Sequence, residues 1–144
     1  MPEPDRKPVL VDTSVWIRAD RRGHEAVKNR LRRLAVEGLV LMCWPIRVEL
    51  LIGVKKSERW AALDEQLSAF EHVPITDDTW RRAARLGHDL ARRGQTVPLP
   101  DLVIAAAAME QNVDLWTVDG DFKRIAGVGP LTVDWFGSHD TRSG

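Results

Sequence analysis

Only one cysteine, Cys43, occurs in 144 residues, which excludes an internal disulfide and suits a reducing cytoplasm. Tyrosine is absent. No apolar run approaches the roughly 18 residues a membrane span requires, so no membrane partner is expected. The first residues, Met-Pro-Glu-Pro-Asp-Arg-Lys-Pro, are polar and proline-rich, without the apolar stretch of a signal peptide. His24, His72, His88 and His139 have no metal-ligand spacing, and a lone cysteine cannot build a structural zinc site. Excess charge of either sign is missing too: 21 Lys+Arg offset 21 Asp+Glu, so net charge argues neither for nor against a polyanionic partner. Without a histidine placed beside Ser14 by any motif, a Ser–His–Asp mechanism has no support.

What is present is globular. Hydrophobic residues make up 44% and charged residues 29%, the composition of a chain with a buried core. The length predicts one domain over 1–144, with a core from about 9 to 136 and short flexible termini. Strands are predicted at Val9–Asp12, Leu39–Trp44, Val73–Ile75, Leu115–Val118 and Leu131–Val133, apolar at successive positions. Helices are predicted between them. Thr13-Ser14 offers a cap for Val15–Ala19, and Val27, Leu31 and Leu34 mark a helix from His24 to Glu37. Pro45–Ile52, Ser57–Phe70, Asp77–Arg93 (capped by Thr76), a helix opened by Pro100 and Asp101 that reaches about Gln111, and Phe122–Ala126 follow. Alternating strands and helices predict an α/β fold with a parallel sheet covered on both faces. In such folds ligands bind beyond the C-terminal ends of the strands.

Five acidic residues abut or interrupt these apolar runs. Asp12 ends Val9-Leu10-Val11, and Glu49 lies inside Val48-Glu49-Leu50-Leu51-Ile52. Asp101 precedes Leu102-Val103-Ile104-Ala105-Ala106-Ala107-Ala108, while Asp119 and Asp121 follow Leu115-Trp116-Thr117-Val118. An unpaired carboxylate among core residues is costly to desolvate. Several gathered together repel one another unless protonated or neutralised by a cation. The pattern predicts a divalent metal site, with Asp12 and Asp119 at strand ends. Asp101 alone reads more readily as a helix-start charge favoured by the helix dipole; its combination with Asp12 and Asp119 reverses that.

Val11-Asp12-Thr13-Ser14-Val15-Trp16-Ile17, Glu49-Leu50-Leu51-Ile52-Gly53, Asp101 through Ala108 and Thr117-Val118-Asp119-Gly120-Asp121-Phe122 together resemble the PIN-domain ribonucleases, and within them the VapC-type toxins. The resemblance runs from about Val9 to Phe136, with all four motifs in order. It implies a three-layer α/β/α sandwich with a short parallel sheet of four to five strands. It also implies a metal-binding set at Asp12, Glu49, Asp101 and Asp119, with Asp12, Asp101 and Asp119 as principal ligands. Glu49 would be a ligand or a water-positioning base. Asp121 is a secondary acidic position, and Thr13 and Thr117 are hydroxyls able to orient a carboxylate or water. The implied activity is an endoribonuclease using Mg²⁺ or Mn²⁺, hard cations that take oxygen ligands. The implied partners are an RNA substrate, a small antitoxin covering the acidic site, and a second copy in a homodimer. Glu49–Val54 and Ser57–Phe70 are the expected walls of an antitoxin groove.

Other readings stay open at this stage. Arginines and lysines from Arg18 to Arg33, at Lys55, Lys56 and Arg59, and from Arg81 to Arg93 form either a basic rim for a polyanion or solvated helix faces. Of six tryptophans, Trp16, Trp60 and Trp116 fall at core-type positions, whereas Trp80 and Trp135 are less constrained. A PIN nuclease of RNA processing or DNA cleavage, or a non-catalytic interaction module, is the alternative function. A receiver-like domain needs paired early acidic residues, and a haloacid-dehalogenase-like phosphatase needs Asp-x-Asp. Asp12-Thr13-Ser14 fits neither.

Overall fold

The protein is described by a computed structural model covering residues 6–138; most of the termini expected to be flexible, and His139, lie outside the described residues. Within them, strands β1 (Val9–Val11), β2 (Val40–Met42), β3 (Glu71–His72), β4 (Asp114–Trp116) and β5 (Val133–Asp134) form one all-parallel sheet in the order β3-β2-β1-β4-β5. Helices α1 (Thr13–Ala19), α2 (Glu25–Val36), α3 (Trp44–Ile52), α4 (Ser57–Ser68), α5 (Asp77–Arg92), α6 (Leu99–Gln111) and α7 (Asp121–Ala126) connect and cover it.

Side-chain alternation along the strands sends apolar groups to both faces. Val9, Val11 and Trp116 pack with Val15 of α1 and with Val27, Leu31 and Leu34 of α2. Leu10 and Leu115 pack on the other face with residues of α3, α5, α6 and α7. The result is the three-layer α/β/α arrangement. Helix α6 is deeply buried against one face: every residue from Asp101 to Ala108 is buried, and the four alanines Ala105–Ala108 have no exposed surface. Their small side chains let α5 and β4 approach closely. Helix α2 stops where Gly38 takes φ +73°, and α6 stops at left-handed Asn112. No helix among the described residues is long and apolar enough to cross a membrane.

Chain order sets the position of the site. From central β1 the chain builds β2 and β3 on one side, then returns to build β4 and β5 on the other. The order therefore reverses between β1 and β4, and a crevice opens beyond their C-terminal ends.

Several boundaries differ from expectation. The third strand is Glu71–His72, not Val73–Ile75, because pairing with β2 in the register Leu41↔Glu71 decides it, rather than local hydrophobicity. Val73 is buried just beyond and still donates its N–H to Met42 O at 2.8 Å. The last strand is Val133–Asp134, not Leu131–Val133, again fixed by register, Leu115↔Val133. Asp12, not Thr13 or Ser14, is the N-cap of α1. Trp60 is a correction as well: it is 46% exposed on α4, whereas Leu67 of the same helix is buried. Trp116 is fully buried, and Trp16 packs edge-on against Phe70.

Two buried arginines hold the periphery. Arg30 reaches from α2 to Asp134 at 2.6 Å and lies over the rings of Trp116 and Phe136. Arg47 of α3 makes two hydrogen bonds to Asp64 Oδ1, at 3.0 and 2.7 Å, and stacks on Trp44 with its guanidinium carbon 4.1 Å from the ring centroid. Arg30 is thus not part of a basic rim. Cys43 is buried, and burial pushes its thiol up to about 12, so it behaves as a small apolar residue.

Candidate functional site

Asp12 follows β1 directly, and its N–H continues the ladder to Trp116 O at 2.9 Å. Its extended backbone (φ −67°, ψ 154°) makes it the cap of α1 and turns its carboxylate into the crevice. Three donors converge on Asp12 Oδ2: Ser14 N–H at 3.2 Å, the Ser14 hydroxyl at 2.6 Å and the Thr117 hydroxyl at 2.9 Å. Both hydroxyl protons are directed at Asp12, so the 3.1 Å between Ser14 Oγ and Thr117 Oγ1 is a contact rather than a further bond. Ser14 Oγ and Thr117 Oγ1 accept in turn from the N–H groups of Val118 and Asp119, at 3.1 and 3.0 Å. The first and fourth strand ends are thereby tied together through a single carboxylate oxygen.

The remaining carboxylates arrive from three other elements. Thr13 Oγ1 donates to Glu49 Oε1, on α3, at 2.6 Å. Asp101 stands in the first turn of α6, buried. Asp119 lies in the turn after β4 and accepts the N–H of Asp121, the first residue of α7, at 2.9 Å. One carboxylate oxygen from each of Asp101, Asp119 and Asp121 lies within 4.8 Å of the other two.

Burial and neighbouring carboxylates shift two of these groups. Burial pushes the Asp101 carboxyl up to about 8, with the charges of Asp12, Asp119, Asp121 and Glu49 adding to it in that order. Asp12 is raised too, by burial, against the opposing hydrogen bonds from Ser14 and Thr117, with Asp119 adding a smaller push. Asp101 Oδ2 is buried without a hydrogen-bond partner. A buried acceptor left unsatisfied is costly. An all-oxygen set around such an orphan fits a hard divalent cation.

Asp12, Glu49, Asp101, Asp119 and Asp121 all lie at this one crevice, as do Thr13 and Thr117. Asp121 joins Asp101 and Asp119 in the closest three, and the charges of Asp12 and Glu49 act on Asp101. Two further residues belong here. The sequence pattern offers Ser14 as a helix cap, and its place two residues after Asp12 is the signal that it can reach back to that carboxylate. Arg124 donates to Asp121 Oδ1 and, at 3.5 Å, to Thr96 O; its three-residue spacing from Asp121 on a helix start was the available sign.

A groove of about 780 Å³ adjoins the acidic crevice. Trp16, Leu50, Leu63 and Leu67 contribute its apolar lining, Glu49 borders it, and Lys55, Lys56 and Arg59 line it at the α3–α4 connection. Residues of Glu49–Val54 and of one face of α4 line it together.

Comparison with known proteins agrees with this architecture. The family model described as PIN domain matches residues 9–128. Ribonuclease VapC21 of Mycobacterium tuberculosis is 32% identical over 129 residues, covering 88% of this chain and 91% of the relative. Among solved structures, VapBC2 from Rickettsia felis, bound to a DNA fragment from its promoter, superposes with a TM-score of 0.71 at 25% identity, covering 88% of this chain and 96% of that one. VapBC-5 from Mycobacterium tuberculosis, a member of the VapBC family of toxin–antitoxin systems, gives 0.63 at 26% identity over 88% and 96%. Sequence motifs, sheet order and these matches coincide over the same span, and the chain belongs to the PIN domain family, in its VapC ribonuclease branch.

Proposed function

We propose that this chain is a divalent-metal-dependent endoribonuclease, the toxin of a toxin–antitoxin pair, with Asp12, Glu49, Asp101, Asp119 and Asp121 as its acidic centre. The observation that carries the reading is the grouping of Asp101, Asp119 and Asp121, one carboxylate oxygen of each within 4.8 Å of the other two, with Asp101 Oδ2 buried and unpartnered. Relatives bearing the name ribonuclease and structural neighbours from toxin–antitoxin systems support it.

Asp101, Asp119 and Asp121, with Asp12, are the residues proposed to hold the ion. Mg²⁺ or Mn²⁺ held there supplies charge neutralisation for the phosphodiester and a lowered pKa for water. The protein's own groups do the rest. Ser14 and Thr117 favour the ionised form of Asp12 against its burial. Thr13 occupies Glu49 Oε1, and no described residue donates to Oε2, which leaves that oxygen to take a proton from an attacking water. Fixed carboxylates in a partly dry crevice cost little reorganisation during reaction.

The apolar floor between α3 and α4 suits a segment of the cognate antitoxin, and a basic side chain on that segment would pair with the acidic centre. A homodimer is part of the same proposal. Trp44, Val48 and Ile52, at four-residue spacing on α3, are 52%, 44% and 78% exposed and offer an apolar stripe for self-association. A cytoplasmic location completes it.

The deciding experiment incubates partner-free protein with total cellular RNA, with Mg²⁺ or Mn²⁺ and with chelator, beside Asp101→Asn. Discrete fragments that require metal and vanish in the variant are expected. Equal cleavage in excess chelator would remove the metal mechanism, and intact RNA with well-folded protein would remove the ribonuclease.

A further inference from the structure

We propose that Lys55, Lys56 and Arg59 form a phosphate-binding track that leads a single RNA strand along the α3–α4 groove to Glu49 and the acidic centre. The proposal rests on the ribonuclease reading and adds where the substrate backbone is held. Five carboxylates at the point of cleavage repel a polyanion, and one divalent ion offsets only part of that charge. Attraction must therefore come from cations nearby.

Several cations elsewhere on the fold are already paired with carboxylates. Arg81 and Arg85 on α5 pair with Asp78 and Asp89 at 2.9 and 3.2 Å, and Arg82 approaches Glu110 at 3.9 Å. Arg47 serves Asp64, Arg30 serves Asp134, and Arg124 serves Asp121. Lys55, Lys56 and Arg59 differ. All three are exposed, no carboxylate among the described residues lies within 4 Å of them, and all three line the groove that Glu49 borders. The chain path explains the proximity: Gly53, which ends α3, is one turn past Glu49, about 6 Å of helix rise. The two lysines and the first turn of α4 follow at once.

Charge is graded along the groove. Asp20 and Glu49 belong to its α1–α3 side, whereas Lys55 and Lys56 lie in the α3–α4 turn and Arg59 in the first turn of α4. A strand lying with its backbone on the turn enters the site phosphate-first. The cations contact phosphate and not bases, so they supply affinity and register without sequence preference.

The test uses the full chain, free of partner, carrying Asp101→Asn so that RNA survives. Binding of a labelled single-stranded RNA is measured by anisotropy over a range of salt, with and without Lys55→Gln/Lys56→Gln/Arg59→Gln. The expected result is a weaker affinity and a salt slope reduced by about 0.7 per cation removed, about 2 in all. Lys55→Arg/Lys56→Arg/Arg59→Lys keeps the slope, which separates charge from fold. In the otherwise wild-type chain, the Gln variant raises KM while kcat stays within a few-fold. An unchanged slope and KM, with the parent still cleaving RNA in a metal-dependent way, overturn the track and leave the ribonuclease intact. Loss of antitoxin binding with the RNA slope unchanged would assign the cations to the protein partner and overturn it as well. A parent chain that neither binds nor cleaves RNA defeats the ribonuclease reading itself.

Discussion

Thr13 Oγ1 donates a 2.6 Å hydrogen bond to Glu49 Oε1, joining the start of α1 to the middle of α3 across 36 residues of sequence. The bond fixes which oxygen of Glu49 faces the crevice. Thr13→Val removes the donor at nearly constant volume. Cleavage is expected to fall about 10–100-fold, the usual cost of losing a partner that orients a metal-site carboxylate, while the melting temperature moves little. Retained kcat in steady-state cleavage of a defined RNA would show that Glu49 needs no such support.

Ser14 is the second such group. Its hydroxyl donates to Asp12 at 2.6 Å and accepts Val118 N–H at 3.1 Å, linking the two strand ends. Ser14→Ala leaves Val118 N–H unpaired and withdraws one of three donors from Asp12. A loss of about 1–3 kcal/mol in denaturant unfolding is expected, with activity reduced about tenfold or more. Ser14→Thr, which keeps the hydroxyl, should recover much of both.

Asp101 makes metal-free stability depend on pH with a definite sign. Its carboxyl is pushed from an ordinary value of 3.8 to about 8 in the fold, so the folded chain keeps a proton that the unfolded chain releases. Stability tied to this group is full below about pH 4 and declines as pH rises toward about 8. Between those limits the metal-free Tm of wild type is expected to fall relative to that of Asp101→Asn. Saturating Mg²⁺ should oppose the decline by favouring the ionised carboxylate. Parallel Tm profiles for the two metal-free proteins across this range would refute the assignment.

Arg47 supports the groove without joining the chemistry. Arg47→Ala breaks its paired hydrogen bonds to Asp64 and removes its stacking on Trp44. Losing one partner of a fully buried pair costs about 3–5 kcal/mol. The Asp64 side chain is 33% exposed, so about 2–3 kcal/mol is expected here by urea unfolding. Cleavage well below the melting point should persist.

Fold class and the five candidate carboxylates are legible in the amino-acid sequence. Continuous apolar runs can belong only to doubly covered strands or a buried helix, which made β1, β2, β4 and α6 legible. The carboxylates Asp12, Glu49, Asp101, Asp119 and Asp121 were legible because charge beside such runs demands compensation. The edge strands were less so. Glu71–His72 and Val133–Asp134 are chosen by pairing with one neighbour, and a two-residue partner leaves little local hydrophobic signal. Trp60 differs for a related reason: helical spacing marks a face but not what covers it, and Trp60 is left 46% exposed while Leu67 of the same helix is buried.

How these groups are arranged follows from tertiary packing. Sheet order 3-2-1-4-5 places Asp12 beside Thr117, and the first turn of α6 contributes Asp101 with one oxygen unpartnered. Ser14 acquired its role only when β4 came alongside β1, because a hydroxyl's partners are set by what lies within about 3 Å. Likewise, separating committed cations from Lys55, Lys56 and Arg59 required knowing which carboxylates each one meets. Local pattern specifies elements through short-range sterics and burial, whereas distances between residues far apart in the chain follow from how those elements pack.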